Sequence, residues 1–473
     1  MSQGTRIERD SMGDMPVPAE ALWGASTQRA VANFPVSGRP VPADILHAFG
    51  LLKAACARVN ADLGLLPLEQ ARAIIAASEE LAAGKLDEHF PVDIYQTGSG
   101  TSTNMNANEV IANRVAQLAG LPIGDRSRVH PNDHVNRGQS SNDTFPTAMH
   151  IACAVAIDGR LIPALERLHE QLLTHASQWD DIVKIGRTHL MDATPIRVGQ
   201  VFGGYAAQAQ FAVRRAELAL EALRTGVPIG GTAVGTGINT HVEFGNRVCA
   251  ELSRRTGIVF EEAENHVEAQ SAKDSFVEAS GCLKTIAVSL SKIANDIRWL
   301  GSGPRCGLFE LMLPATQPGS SIMPGKVNPV IAESVIQVAC RVIGNDQAVT
   351  LAGLGGIGSV FELNVAMPVM ADAMLESIHL LANVTSVFVE KLLAGLQVNR
   401  ARCEGLIEQS LMMVTSLAPV LGYDLAARLA KQAFERNQTI RELVLEQKLI
   451  APEQLDALLN ARRMTEPGAG GGE

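Results

Sequence analysis

Three stretches of this sequence are dense in hydroxyl and amide side chains, and each runs into a helical pattern. The first is Thr97-Gly98-Ser99-Gly100-Thr101-Ser102-Thr103-Asn104, leading into Asn108-Glu109-Val110-Ile111. The second is Gln139-Ser140-Ser141-Asn142-Asp143, with Pro146 one turn later. Asn142 or Asp143 is the expected N-cap there, since Pro is tolerated in a first helical turn. The third reads GSSIMPGKVNP from Gly319 to Pro329 and carries Ser320, Ser321, Lys326, Val327 and Asn328. Here Asn328 is the expected cap and Pro329 the first helical residue. Free N–H groups and the helix dipole both favour negative charge at such ends, so the three loops suit small anions. The plainer alternative, an ordinary capped loop, fits any one of them better than it fits all three. A fourth run, Gly230 to Gly237, is Gly-rich but lacks the Gly-Lys-Ser/Thr ending and a preceding strand, so a nucleotide role is weak.

Among the eleven histidines, His189 stands out in Gly186-Arg187-Thr188-His189, with a hydroxyl before it and Asp192 after it. His130 opens a second polar turn, His130-Pro131-Asn132-Asp133. His134, His241 and His266 have no such context and read as surface residues.

The elements that must hold these loops are long helices. Leu161, Leu165, Leu168 and Leu172 form one apolar stripe, and Ile331, Val335, Val338 and Val342 another, with Glu333 off it. Residues 46–55, 71–83, 201–223, 267–300 and 365–395 also read as helical. Aromatics are only 4% of the chain against 46% hydrophobic residues, which favours closely packed helices over sheets. The expectation is an all-α chain in three parts. These are a mixed, mostly helical 1–139, a central long-helix bundle 140–397, and a small helical 398–473 ending in a disordered Gly-rich tail. A composition shift near 398, the Gly422-Tyr423-Asp424 turn and Pro452 mark the last part.

Several classes are excluded or disfavoured. A formal charge of −10 without a long basic run disfavours nucleic acid. Charged residues interrupt every apolar stretch near spanning length, and no apolar signal segment opens the chain, so the expected location is cytoplasmic, with a processed mitochondrial form as fallback. The seven cysteines are scattered with no C-x-x-C pair, which argues against zinc, iron–sulfur and disulfide frameworks.

Taken together, these segments resemble the fumarase/aspartase superfamily, and most closely class II fumarases. The GSSIMPGKVNP block is the superfamily's signature loop, and the likeness runs from Arg6-Ile7-Glu8-Arg9-Asp10-Ser11-Met12-Gly13 to the C-terminal helices. Gly325, Leu22-Trp23-Gly24 and Phe361-Glu362-Leu363-Asn364 resemble fumarases and not aspartases. The resemblance implies a three-domain chain whose long helices form a twenty-helix core in a homotetramer. It also implies active sites shared by three subunits, fumarate or malate as substrate, and no metal or other cofactor.

Hydration of fumarate requires a base, a clamp for the aci-carboxylate charge and an acid for the departing hydroxyl. By resemblance Ser320 is the base, Lys326 and Asn328 bind the carboxylate, and His189 with partner Glu333 serves the hydroxyl side through a water. Ser99, Gly100, Thr101, Ser140, Ser141, Asn142, Thr188, Ser321 and Val327 match the substrate-binding positions. Arg128, His130, Pro131, Asn132 and Asp133 match a second anion site outside the active site. The sequence departs from the family pattern at Ser127, His134, Gly138 and Ser26; the first two bear on the second site, and none is an acid–base residue. An aspartate ammonia-lyase of the same superfamily and a non-catalytic homologue are the competing readings.

Overall fold

The computed structural model describes residues 4–468, and most of the Gly-rich tail lies outside the described residues. Among these are seventeen α-helices and four small two-stranded antiparallel sheets, in agreement with the all-α expectation. The chain forms two compact units, each discontinuous in sequence. One contains Met1–Pro163, Arg214–Ala287 and Val338–Ala382; the other contains Ala164–Val213, Val288–Gln337 and Asn383–Glu473.

In the first unit the helix Ala43–Asp62 buries Ile45, Phe49, Leu52 and Cys56, while Leu68–Ala82 buries Ile74 and Leu81. Gly50 lets the two cross closely, because a Cβ there would lie 2.3 Å from the Ala82 nitrogen. The helices Thr101–Leu118 and Ser141–Ala156 complete the frame around the first two polar loops.

The expected single helix over 267–300 is two helices, His266–Ser271 and Asp274–Leu300. Lys273 makes the break. Its fully buried ammonium donates to the carbonyls of Ala269 (2.5 Å), Gln270 (3.2 Å) and Ala272 (3.0 Å), satisfying the orphan acceptors of a helix end. Composition held no hint of this, since neither Pro nor a Gly pair marks the site.

The second unit holds the hairpin Val183–Thr188 with Met191–Arg197 and the C-terminal helices. Its core joins Ile185 to Leu417, Leu429, Leu443, Val444 and Leu455. The helices Tyr423–Arg436 and Pro452–Leu458 follow Gly422 and Ala451. A reciprocal capping box starts the helix Ile440–Glu446: Thr439 accepts from the Glu442 N–H, and Glu442 accepts from the Thr439 N–H. Two stretches, Ser141–Gln178 and Met367–Gly395, are long and apolar enough to span a bilayer by length and composition alone. The apolar window of the first is 67% buried inside the chain, as a core helix would be.

Candidate active site

In the first unit, the first of the three loops is built around close approaches. A Cβ on Gly98 would sit 1.7 Å from the Val365 carbonyl oxygen, and one on Gly100 would sit 2.1 Å from the Phe145 ring. Gly100 also has φ +72, in the left-handed region, and caps Thr101–Leu118. Ser99 is buried, with its hydroxyl 3.0 Å from that of Thr101.

The second loop corrects the expected cap. Ser140 is the N-cap, accepting from the Asn142 N–H, and Asp143 is its capping-box partner, accepting from the Ser140 N–H at 2.9 Å. Asn and Asp are both strong caps, but Asp143 sits at N3, where an acidic side chain reaches back. Asn142 instead donates to the Ala233 carbonyl at 2.8 Å. The Asn104 amide donates to the Ser141 hydroxyl oxygen at 3.3 Å, so the two loops share a hydrogen bond.

Asp143 is fully buried and also accepts from the N–H groups of Gly230 (3.3 Å) and Thr232 (2.8 Å). Burial pushes its pKa up to about 7 against these donors. The Gly-rich run that resembles a phosphate loop therefore holds one of the protein's own carboxylates.

In the second unit the signature loop closes on itself. Gly319 N–H donates to the Lys326 carbonyl at 2.8 Å, and the Asn328 amide donates to the Gly319 carbonyl at 2.5 Å. The Ser320 hydroxyl oxygen accepts from the N–H groups of Ile322 (3.2 Å) and Met323 (2.9 Å). Ser321, Lys326 and Val327 are exposed, and Glu333 is half-buried in the first turn of Val330–Gly353. Asn328 and Pro329 both precede that helix. A cavity of about 560 Å³ lies beside Lys326, Val327 and Asn328, with Trp299, Phe309 and Leu313 on its wall.

Thr188 and His189 are exposed at the tip of the hairpin in the same unit. His189 (φ 56) and Leu190 (φ 64) form its two-residue turn, a conformation usually taken by Asn-Gly. The first strand of this hairpin is clamped along its length, from Lys184 to Arg187 beside the tip. Arg187 makes a bidentate pair with Glu310 at 2.9 and 3.0 Å, and Lys184 joins the same buried carboxylate at 3.1 Å. Among the described residues no hydrogen bond or ion pair within the chain joins His189 to Glu333, and Ser320 bonds only within its loop.

The proposed second anion site is differently arranged. His130 caps the π-turn Pro131–Val135, its Nδ1 accepting from the N–H groups of Asn132 and Asp133, both at 3.2 Å. Burial lowers the His130 pKa against its pairing with Asp133. Arg128 pairs with Glu69 at 2.9 Å. The N–H groups that would greet an anion are thus occupied by the histidine ring.

The three histidines expected on the surface are half-buried and engaged with backbone: His134 accepts from His130 N–H, His241 from Glu243 N–H, and His266 bonds the Ile229 carbonyl. Lys53, Asp143 and Glu310 have structural weight that the sequence reading missed. For Lys53 a signal existed, since it stands in Leu51-Leu52-Lys53-Ala54-Ala55 on the buried face of an apolar helix.

Comparison with known proteins places this architecture. A family model described as Lyase matches residues 13–344, and one described as Fumarase C C-terminus matches 413–466. The class II fumarate hydratase of Corynebacterium glutamicum is 55% identical, covering 96% of this chain and 94% of its own length. That of Mycobacterium tuberculosis is 53% identical, over 98% of this chain and 97% of its own. Among solved structures, class II fumarase from Schistosoma mansoni matches with TM-score 0.94 at 38% identity, covering 98% of this chain and 99% of its own. A Brucella melitensis protein described as fumarate lyase:delta crystallin, bound to cobalt, matches with TM-score 0.93 at 42% identity, over 98% and 100%. The chain belongs to the lyase family and, within it, to the class II fumarate hydratases.

Proposed function

We propose that this chain is a fumarate hydratase, interconverting fumarate and (S)-malate in the tricarboxylic acid cycle. The observation that carries this reading is the signature loop with Gly325, in a chain 55% identical to a class II fumarate hydratase over nearly its whole length. In the dehydration direction Ser320, as alkoxide, takes a proton from C3 of malate. The electron pair moves into the neighbouring carboxylate, and Lys326 and Asn328 hold the resulting aci-carboxylate charge. The pair then forms the C2–C3 double bond as the C2 hydroxyl leaves as water, with a proton delivered from His189 through a water. Glu333 favours the imidazolium. A serine is a poor base until its alkoxide is stabilised, and the N–H groups of Ile322 and Met323 aimed at its oxygen support that role.

Ser99, Gly100, Thr101, Ser140, Ser141, Asn142, Thr188, Ser321 and Val327 bind the two carboxylates in this reading. It uses only side chains and N–H groups, with no metal or organic cofactor. Its three segments, 1–139, 140–397 and 398–473, assemble as a cytoplasmic homotetramer in which each site gathers loops from three chains. The absence of a His189–Glu333 bond within one chain supports this sharing. The test is direct. Malate should generate the ultraviolet absorbance of fumarate, in the presence of a chelator, while aspartate gives no such signal. Ser320→Ala should lower that rate at least about a hundredfold with the helical content unchanged. Release of ammonia from aspartate at the faster rate, or an active Ser320→Ala, would overturn the reading or the base assignment respectively.

A further inference from the structure

Beneath the two polar loops of the first unit lies a cation that the mechanism does not use. Lys53 is fully buried in Ala43–Asp62, and its ammonium donates to Asn104 Oδ1 (2.8 Å), Gln139 Oε1 (2.9 Å) and Asn136 Oδ1 (3.0 Å). An ammonium has three donors and no acceptor, so each amide must present its oxygen to it. The NH₂ groups are thereby turned away. That of Asn136 donates to the Gln139 carbonyl, and that of Gln139 to the carbonyls of Val135 and Arg137. That of Asn104 donates to the Ser141 hydroxyl oxygen at 3.3 Å and to Asn136 Oδ1 at 3.2 Å, and Asn104 Oδ1 also lies 3.0 Å from the Thr144 hydroxyl, which has the Ser140 carbonyl as a second acceptor at 2.8 Å. Once Ser141 accepts from Asn104, its own proton is free for another acceptor, and its half-exposed position leaves that side open.

We propose that Lys53 is a positioning residue of the anion site, fixing the direction of a hydrogen-bond relay through Asn104 so that Ser141 donates to a substrate carboxylate. This rests on the fumarate hydratase reading. A deprotonated Lys53 carries a lone pair and permits Asn104 to reverse, which turns Ser141 from a donor to the ligand into a donor to the protein. Burial pushes Lys53 down to about 8, so the relay loses its direction within an accessible range. The titratable groups facing it are Asp143, from Ser141–Ala156, and Cys56, on its own helix. Burial raises Asp143 to about 7 and the Cys56 thiol well above its ordinary value. Between them, Lys53 is the group left to titrate.

The experiment measures binding of succinate, a dianion that cannot be dehydrated, by calorimetry on the purified full chain from about pH 7.5 to about pH 9.5. Affinity should fall about tenfold as Lys53 loses its proton, the worth of one charge-assisted bond. Lys53→Met should bind about tenfold more weakly at about pH 7.5 and show no further fall, with KM for malate rising more than kcat drops. Should that variant fail to fold, Ser141→Ala keeps the buried cation and removes the relay's end, so its succinate profile should be flat. A wild-type profile that is flat, or a fall that persists in Lys53→Met or Ser141→Ala, overturns the assignment. Malate turnover with a flat profile removes Lys53 alone. A protein that neither converts malate nor binds succinate defeats the hydratase reading and this proposal with it.

Discussion

At the scale of single residues, the buried polar groups of this chain do two kinds of work. Some face the loops, as Lys53 and Asp143 do; others hold helices together. His150 is of the second kind: its Nδ1 bonds the Leu223 carbonyl at 2.6 Å, its ring lies edge-on to Phe276, and burial pushes its pKa from 6.5 down to about 4. The unfolded chain therefore takes up a proton at this position before the folded chain does. Stability from His150 is full above about 6.5 and is lost as pH falls toward about 4, by about 3 kcal/mol. Asp143 works the other way over much of this range, because its raised pKa makes the folded chain the better proton acceptor as pH falls below about 7. The observable is thus a difference. Between about pH 6.5 and about pH 4, His150→Phe should lose less unfolding free energy than wild type by that amount, whatever its constant offset. Parallel curves for the two proteins would show that His150 is not held neutral.

At the scale of elements, the hairpin carrying Thr188 and His189 holds strain where an ordinary turn would hold none. Two non-glycine residues share the left-handed region at its tip, while the Arg187–Glu310–Lys184 cluster fixes its first strand. Leu190 is 73% exposed, so removing its side chain sacrifices little burial within the chain. Leu190→Gly should raise stability to urea by about 1 kcal/mol and lower turnover by loosening His189. A lower midpoint would show that Leu190 has packing the single chain lacks. The hairpin was illegible in the sequence because neither Asn-Gly nor alternating hydrophobicity announces it. The long helices were legible, since stripes such as Leu161–Leu172 repeat at helical spacing and need no tertiary information. The first two polar loops were legible as helix starts, and the catalytic roles proposed for the loops rest on resemblance. The break at Lys273, the true cap at Ser140 and the ring of donors around Asp143 were not. Each depends on which distant N–H or carbonyl a side chain meets, and that is settled only by packing.

At the scale of the whole molecule, the chain leaves apolar side chains exposed on long helices that a monomer would be expected to cover. Leu218, Val288, Ile343 and Leu351 are 60%, 53%, 39% and 53% exposed. A homotetramer buries such faces, and sedimentation should return about four times the mass of one chain. Leu218→Lys combined with Val288→Lys should shift that mass downward and reduce activity in parallel, because the proposed site is incomplete within one chain. A fully active monomer would contradict shared sites. The net charge of −10 does not weigh against a dianionic substrate, since the anion contacts proposed for Lys326 and the helix starts are local while net charge governs solubility. The central claim is that this assembly adds water across the double bond of fumarate. Its most direct test is fumarate incubated with the enzyme in deuterated water and followed by proton NMR. The account predicts (S)-malate bearing one deuterium at C3 as a single stereoisomer. Unchanged fumarate, or reaction only when ammonium is supplied to give aspartate, would contradict it.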